Sequence, residues 1–197
     1  MTRRALAVAA LGVALALAGC TASDPLAEEY RDGGDQNYIS GDGAVVEIAP
    51  DDRGEPVEWT GETPDGTELS SDDHVGEVYV VNFWYAGCPP CRAEADDLEE
   101  VAAAVADDDV QLIGVNTTDD AETADAFART YEVSYPTVLD AGTNSVQLAF
   151  VSDVPPNAVP TTLVLDREGR VAGRISGRLE AASILESMID RVLAEAE

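Results

Sequence analysis

Apolar and polar positions alternate along this chain in a pattern that predicts one domain built from strands and helices. Two mainly apolar runs, residues 78–84 and 110–115, each interrupted by one amide residue, have the length and composition of strands buried on both faces. The first run leads into Pro89, a residue favoured in the first turn of a helix. After the second run, apolar residues recur at helical spacing, which predicts a helix that begins near Asp119 or Asp120.

The remaining elements complete an α/β sandwich with a mixed sheet. Turn signals at Pro64-Asp65-Gly66 and at Arg167-Glu168-Gly169-Arg170 predict one β-hairpin before the central strand and one near the end of the chain. Strands are predicted at residues 57–60, 67–70, 137–139, 161–166 and 171–176, and helices at residues 145–150 and 180–194. The last of these helices has an apolar stripe along one face, as expected of a helix that packs on a sheet.

The first 19 residues are predicted to be a secretory signal peptide. Arg3 and Arg4 precede an apolar run at residues 5–18, which is too short to span a bilayer but typical of the core of such a signal. The run ends in Leu17-Ala18-Gly19-Cys20, which resembles the lipobox of bacterial lipoproteins. Cys20 is therefore expected to be the lipidated first residue of the mature protein; the alternative is an ordinary signal peptide with an incidental cysteine.

Residues 20–56 are predicted to form a flexible acidic tether. They are rich in Asp, Glu and Gly and poor in large apolar side chains, so they bury too little surface to compensate the entropy lost on ordering. The short apolar stretch at residues 44–49 leaves an edge strand open as an alternative. The folded domain is expected to occupy residues 57–197.

The acidic composition narrows the range of functions. Against 39 Asp and Glu stand 11 Lys and Arg, which gives a formal net charge of −28. Nucleic acid is excluded as a partner, because phosphate binding needs a basic surface. With Cys20 assigned to lipid, two cysteines and one histidine remain, which are too few for a zinc site of four Cys and His ligands, so no metal and no other cofactor is predicted.

The candidate chemistry lies at Cys88-Pro89-Pro90-Cys91. Between a buried strand and a helix, this spacing places Cys88 at the helix N terminus, where free N–H groups and the helix dipole stabilise a thiolate. Cys88 is the predicted nucleophile, and Cys91, one turn further along, is the predicted resolving thiol. A purely structural disulfide and a zinc site are the alternatives to a redox pair.

Residues 80–91, Val-Val-Asn-Phe-Trp-Tyr-Ala-Gly-Cys-Pro-Pro-Cys, resemble the active-site segment of membrane-anchored thiol–disulfide oxidoreductases of the TlpA/ResA type. The resemblance extends over residues 57–197. It implies a thioredoxin-like three-layer sandwich with a mixed central sheet, an N-terminal β-hairpin and an insert after the third core strand. It also implies an extracytoplasmic reductase of disulfides in partner proteins, often in cytochrome c maturation, with apocytochrome c as a possible substrate and an integral-membrane thiol protein as electron donor.

Members of this family have a cis-proline beside the redox pair, and the chain contains two candidates, Pro136 and Pro160. Only Pro160 precedes a strand, a tight turn, a second strand and a final helix, the order that closes the family's fold. The resemblance therefore favours Pro160. Together with Val159 and Trp84, it is expected to form the surface on which a partner docks, although Trp84 could equally be a core residue.

Asn82 stands where thioredoxin has a buried aspartate, and an amide cannot transfer protons as a carboxylate does. Helical spacing nominates Glu94 instead, since it falls on the apolar face of the predicted helix with Cys91 and Leu98. Glu94 is expected to be partly buried and to act as a proton relay, with a solvated acid as the alternative. Trp59 is assigned to the core and His74 to the surface.

Three other functions remain open. A thiol oxidase or isomerase would use the same Cys-x-x-Cys pair, so the direction of electron flow does not follow from the motif. A metal-delivery module on this fold would need a distal histidine after the sheet core, which the sequence lacks. A non-enzymatic docking module would work without Cys88.

Overall fold

The computed structural model describes residues 45–106, 108, 110–154 and 158–195. Within these residues the chain forms one mixed sheet of eight strands and four α-helices. The strands are β1 (Val45–Glu47), β2 (Thr60–Glu62), β3 (Glu68–Ser70), β4 (Tyr79–Trp84), β5 (Gln111–Asn116), β6 (Thr137–Leu139), β7 (Thr161–Leu165) and β8 (Val171–Ser176). The helices are α1 (Pro89–Ala104), α2 (Ala121–Thr130), α3 (Ser145–Ala149) and α4 (Ala182–Ala194).

The strand order is β1-β8-β7-β4-β5-β6-β2-β3. The β4–β5 and β5–β6 pairs are parallel, whereas β4–β7, β7–β8 and the two outer pairs β1–β8 and β2–β3 are antiparallel. All six residues of β4 are buried, because the strand lies in the middle of the sheet and is covered on both faces. Its C-terminal end is where the chain turns into α1.

Side chains of β4 alternate between two hydrophobic clusters, as the two-residue period of a strand requires. Val80 belongs to the cluster that also contains Leu98 of α1 and Leu185 of α4. Val81 and Phe83 belong to the cluster on the other face, with Val146 and Phe150 of the insert. The sheet therefore has helical segments on both faces, which confirms the predicted sandwich.

The predicted strands and helices are confirmed, with boundaries shifted by a few residues. The N-terminal hairpin is β2–β3, whose first strand begins at Thr60 rather than at residue 57. The second predicted helix is α2, with Asp120 as its N-cap: Thr123 N donates to Asp120 Oδ1 at 2.9 Å. The insert after the third core strand contains α3.

The tether predicted at residues 20–56 overlaps the folded domain from residue 45 onwards. Residues 45–47 form β1, an edge strand antiparallel to β8, which is the alternative that the apolar stretch at 44–49 left open. Arg53 then pairs with buried Asp166 at 2.9 Å and with Glu195 at 2.6 Å. These contacts join residues 45–56 to β8, to the end of β7 and to the C-terminal end of α4. The rest of the predicted tether, the signal peptide and Cys20 lie outside the described residues.

His74 is buried, and its prediction as a surface residue is wrong. Its side chain lies between the rings of Trp59 and Tyr79, at centroid distances of 6.2 and 4.9 Å, and only 4% of the residue is exposed. Burial lowers the pKa of His74, since desolvation disfavours the charged form. Trp59 is buried, as predicted.

In the part of the chain that the structure describes, no helix combines the length and the apolarity that crossing a membrane would require.

Candidate active site

The redox pair lies where the central strand turns into the first long helix. Cys88 N donates to Tyr85 O at 3.1 Å, so the chain makes a tight turn directly before Cys88. Pro89 and Pro90 then begin α1, because proline needs no hydrogen-bond acceptor for its nitrogen in a first turn. Cys88 thereby becomes the N-cap of α1 and Cys91 lies within its first turn, as the sequence predicted.

Cys88 and Cys91 form a disulfide bond. Cys91 N donates to Cys88 Sγ at 3.1 Å, so the first sulfur lies at the free N–H groups of the helix terminus. Both residues are almost fully buried, with 2% and 3% of their surface exposed. In the reduced state the same N–H groups would stabilise a thiolate on Cys88, and Cys91 would stay within reach to close the bond again.

Glu94 is fully buried one turn beyond Cys91, where the sequence predicted partial burial. Its two carboxylate oxygens have different partners: Asn82 Nδ2 donates to Oε1 at 3.0 Å, and Leu179 N donates to Oε2 at 2.8 Å. Burial raises the pKa of Glu94 to about 7, although these two hydrogen bonds and the charge of Arg178 oppose the rise. The side chain can therefore gain or lose a proton near neutral pH.

Asn82 connects this carboxyl group to the strand that follows the cis-proline. Its Nδ2 group also donates to Thr162 Oγ1 at 3.1 Å, and Asn82 is the residue opposite Thr162 in the β4–β7 ladder. Sequence reasoning recognised that an amide cannot relay protons, but it missed that this amide binds Glu94, whose role as a proton relay stays a prediction. The available signal was a polar side chain directly between two apolar residues in a strand predicted to be buried.

The Val159–Pro160 peptide bond is cis, and within the described residues it is the one cis bond. The choice of Pro160 over Pro136 is thus confirmed at the level of backbone geometry. Pro160 is buried, and Val159 is half-buried against a small cluster that contains both cysteines. Pro136 lies in the connection before β6, where its carbonyl accepts from Gly114 N at 2.8 Å. That Val159 and Pro160 bind partner proteins stays a prediction.

Trp84 packs beneath the redox pair and offers little open surface. The residue is 4% exposed, and its ring lies 4.3 Å from that of Phe127 in α2. It belongs to the same cluster as Cys88 and Cys91. Trp84 is therefore mainly a core residue, which is the alternative that the sequence left open. Its contact with a docked partner stays a prediction.

The loop after β5 also belongs to the site, and the sequence analysis did not identify it. Asp119 Oδ2 accepts from Ala86 N at 2.6 Å, two residues before Cys88, and Thr117 N donates to Trp84 O at 3.0 Å. The available signal was the run of polar residues directly after a second parallel strand, because the C-terminal ends of parallel neighbours meet at one edge of the sheet.

No group of three or more His, Cys, Asp or Glu that could hold a metal ion occurs in the described ranges.

Comparison with known proteins agrees with this geometry. The family model described as the AhpC/TSA family matches residues 50–174. The thiol–disulfide oxidoreductase ResA of Bacillus subtilis is 27% identical over 127 residues, which is 64% of this chain and 68% of that protein. The ResA of Halalkalibacterium halodurans is 23% identical over 137 residues, covering 70% of this chain and 72% of its own length.

Solved structures give the same result over a larger part of the chain. A DsbF homologue from Corynebacterium diphtheriae is 29% identical, with a TM-score of 0.67 over 79% of this chain and 98% of its own. A secreted thiol-disulfide isomerase from Corynebacterium glutamicum is 25% identical, with a TM-score of 0.68 over 78% of this chain and 97% of its own. Since the matched family model covers more than half of the sequence, the chain belongs to the AhpC/TSA family, and it is a thiol–disulfide oxidoreductase of the ResA/DsbE type with a thioredoxin-like fold.

Proposed function

We propose that the protein reduces disulfide bonds of partner proteins on the extracytoplasmic face of the cell membrane, with Cys88 and Cys91 as the redox pair. The observation that carries the redox part of this proposal is the hydrogen bond of 3.1 Å from Cys91 N to Cys88 Sγ at the N terminus of α1. A sulfur in this position is stabilised as a thiolate and is therefore the better nucleophile of the pair. A disulfide kept only for stability would not need its first sulfur at a helix terminus.

The reaction starts from the dithiol form. The Cys88 thiolate forms a bond to one sulfur of the partner's disulfide, and the other partner sulfur leaves as a thiolate that takes up a proton. Cys91 then loses its proton and attacks Cys88 Sγ, which closes the Cys88–Cys91 disulfide and releases the second partner sulfur. The second partner sulfur leaves as a thiolate and takes up its proton from solvent, while the Cys91 proton stays with the group that accepts it. Two electrons have then passed from the dithiol to the partner.

Glu94 is proposed to exchange the proton of Cys91 during this second step. The carboxyl group lies one helical turn beyond Cys91, is fully buried, and has a pKa raised to about 7 by burial. A base with a pKa close to the working pH is the most effective proton acceptor. Glu94 can accept the proton as the disulfide closes and return it when the disulfide is reduced again.

Partner proteins are proposed to dock at the surface around Val159 and Pro160, with Trp84 beneath it. Val159 is half-buried and packs against the cluster that contains both cysteines. An extended segment of a partner that contacts Val159 would bring its disulfide next to Cys88. Disulfide-containing proteins are the substrates on which thiol–disulfide oxidoreductases act; for this chain apocytochrome c is one candidate.

The proposed location rests on the N-terminal sequence. Leu17-Ala18-Gly19-Cys20 has the form of a lipobox, so the mature chain would be anchored to the membrane through lipid on Cys20. Outside the cytoplasm a dithiol tends to become oxidised, and continued reduction of partners therefore requires a supply of electrons. We assign that supply to an integral-membrane thiol protein.

A thiol oxidase or isomerase is the second candidate. It is favoured by one comparison, since the Corynebacterium glutamicum structure is described as a secreted thiol-disulfide isomerase. An oxidase would use the same two sulfurs in the reverse direction, starting from the disulfide form.

The redox state of the pair in living cells separates these candidates. Cells are treated with a membrane-permeant alkylating reagent that adds mass to each free thiol, and the full chain is then separated by size. A reductase is expected to be mostly reduced in wild-type cells. A mostly oxidised pair would contradict the proposal and support an oxidase. Cys88→Ser tests the docking alternative, because a docking protein would retain its cellular function in that variant.

A further inference from the structure

Two loops meet beside the disulfide: residues 85–87, which connect β4 to Cys88, and residues 116–119, which follow β5. The strands β4 and β5 are parallel neighbours, and Trp84 is the residue opposite Asn116 in their ladder. The loops that follow these two strands therefore start at the same edge of the sheet, and the 116–119 loop lies against the 85–87 loop.

Asp119 is the residue of the 116–119 loop that binds the loop before the redox pair. Ala86 N donates to Asp119 Oδ2 at 2.6 Å. The same oxygen accepts from Asn116 Nδ2 at 2.9 Å, and Asn116 Oδ1 accepts from the backbone N–H groups of Thr118 and Asp119 at 3.1 and 2.8 Å. The 116–119 loop thus holds its own carboxylate in a defined position, and a charged acceptor makes the bond to Ala86 a strong one.

The chain on the other side of Ala86 is also fixed. Thr117 donates to Trp84 O twice, from its backbone nitrogen at 3.0 Å and from Oγ1 at 3.3 Å. Cys88 N donates to Tyr85 O at 3.1 Å. The 116–119 loop therefore forms hydrogen bonds with two backbone groups that precede Cys88, the carbonyl of Trp84 and the N–H of Ala86.

We propose that Asp119 is a positioning residue for thiol–disulfide exchange: through Ala86 it holds the 85–87 loop, so that the Cys88 sulfur stays at the N terminus of α1 when the disulfide is open. In the oxidised protein the bond to Cys91 itself restrains Cys88. In the dithiol that restraint is gone, and the conformation of the preceding loop decides where the sulfur lies. The inference rests on exchange at Cys88 and Cys91.

A positioning role of Asp119 and a simple effect of its charge predict opposite changes in the pKa and reaction rate of Cys88. A carboxylate near a thiolate disfavours it, so loss of the negative charge alone would lower the pKa of Cys88 and speed its reaction at neutral pH. Loss of the bond to Ala86 instead lets Cys88 move away from the helix terminus, which raises the pKa of Cys88 and slows the reaction.

The experiment measures the rate at which iodoacetamide alkylates Cys88 in the reduced full-length chain, as a function of pH. Asp119→Ala removes the bond and the charge. Asp119→Asn keeps an oxygen that can accept from Ala86 N. The matched control is Asp120→Asn, which removes the same charge one residue away but leaves an N-cap for α2, since Asp120 binds Thr123 N.

At a pH below the wild-type Cys88 pKa, Asp119→Ala is expected to react about fivefold more slowly than wild type, the loss that corresponds to about 1 kcal/mol of helix-terminus stabilisation. Its apparent pKa for Cys88 should rise. Asp119→Asn should recover most of the rate, and Asp120→Asn should match wild type. If Asp119→Ala does not fold, Asp119→Glu replaces it: the charge is kept but displaced from Ala86, and slower alkylation is again expected.

The proposal is overturned if Asp119→Ala reacts at the wild-type rate or faster, or if the Asp119→Glu variant is indistinguishable from wild type. It is also overturned if Asp119→Ala and Asp119→Asn are slowed equally, since the retained hydrogen bond would then have no effect. Wild-type Cys88 that reacts no faster than an ordinary thiol would contradict the redox function itself, a result that is separate from any difference between the variants.

Discussion

Asn82 Nδ2 donates a hydrogen bond of 3.0 Å to Glu94 Oε1, so a strand residue that cannot carry a proton orients the helix residue that can. The second Nδ2 bond of Asn82, to Thr162 in β7, fixes the amide plane from the other side. Leu179 N binds the other oxygen of Glu94, from the connection between β8 and α4. A single buried carboxyl group therefore joins β4, α1 and the chain that leads into the last helix.

Glu94→Gln is expected to abolish a pH-dependent step in disulfide closure. If ionised Glu94 accepts the Cys91 proton as proposed, the closure rate of wild type should rise through about pH 7. An amide cannot accept that proton, and the variant should close its disulfide about tenfold or more slowly above pH 7, without the inflection. Rapid-mixing measurements of closure in a partner-peptide mixed disulfide give the rates.

Glu100→Gln is the control for this experiment, because Glu100 lies on the same helix and is exposed. Glu99 is less suitable, since its carboxylate accepts from Ser134 N at 2.7 Å. Identical pH–rate profiles for wild type, Glu94→Gln and Glu100→Gln would show that the proton travels by another route.

Glu94 should also make folding stability depend on pH. Its pKa is raised from 4.5 to about 7 in the folded state, so the folded protein favours the protonated form more than the unfolded chain does. The neutral carboxyl group contributes about 3 kcal/mol to the free energy of unfolding. This contribution is present below about pH 4.5 and is lost as pH rises to about 7. Relative to wild type, Glu94→Gln should therefore gain about this amount of unfolding free energy between pH 5 and pH 8, measured by urea denaturation of the oxidised protein. A constant difference across this range would mean that the Glu94 pKa is not raised.

Asn82→Ala is expected to raise the pKa of Glu94 further. The hydrogen bond from the Asn82 side chain favours the charged form of Glu94, and removing it leaves Oε1 without this donor. The inflection in the closure rate should move to higher pH. Thr162→Val is the matched comparison, because it removes the other acceptor of Asn82 and leaves the bond to Glu94 in place. An inflection that stays at the wild-type pH in Asn82→Ala would contradict the role of the amide.

Cys88 should be the reactive thiol of the reduced protein. The free N–H groups at the start of α1 stabilise its thiolate, so iodoacetamide should label it at a pH where ordinary thiols barely react. Cys91 lies inside the first turn of α1 and not at the N-cap position that these N–H groups face, so it should react slowly. Peptide mapping after brief labelling identifies the modified sulfur, and prior labelling of Cys91 would reverse the assigned roles.

Cys20→Ser is expected to release the protein from membranes or to leave the signal peptide uncleaved, because lipid on Cys20 is the proposed anchor. Membrane fractionation followed by mass measurement distinguishes these outcomes. A processed variant that stays in the membrane fraction as wild type does would exclude lipid on Cys20 as the anchor. The separately purified variant should keep its disulfide reductase activity, since the redox pair lies in the folded domain.

The sequence by itself was sufficient for the features that depend on neighbouring residues. A buried apolar run followed by Cys88 and two prolines specifies a strand, a turn and a helix terminus, and the position of the first sulfur follows from local geometry. The choice of Pro160 over Pro136 needed the family resemblance as well, because the order of elements that closes the fold is implied by that resemblance and not by neighbouring residues. Glu94 could be nominated from helical spacing, since one period places it on the apolar face.

Only the tertiary structure decided how completely such residues are buried and what they bind. The partners of Glu94 are 12 and 85 residues away in sequence, and the partner of Asp119 is 33 residues away. Contacts of this kind come from strand register and helix packing, which a one-dimensional pattern does not contain. His74 became a core residue for the same reason, because Trp59 and Tyr79 enclose it from separate elements. Residues 45–56 joined the domain through β8, buried Asp166 and exposed Glu195. These partners lie more than 100 residues away, and the contacts with them compensate the ordering entropy that the segment's own composition cannot.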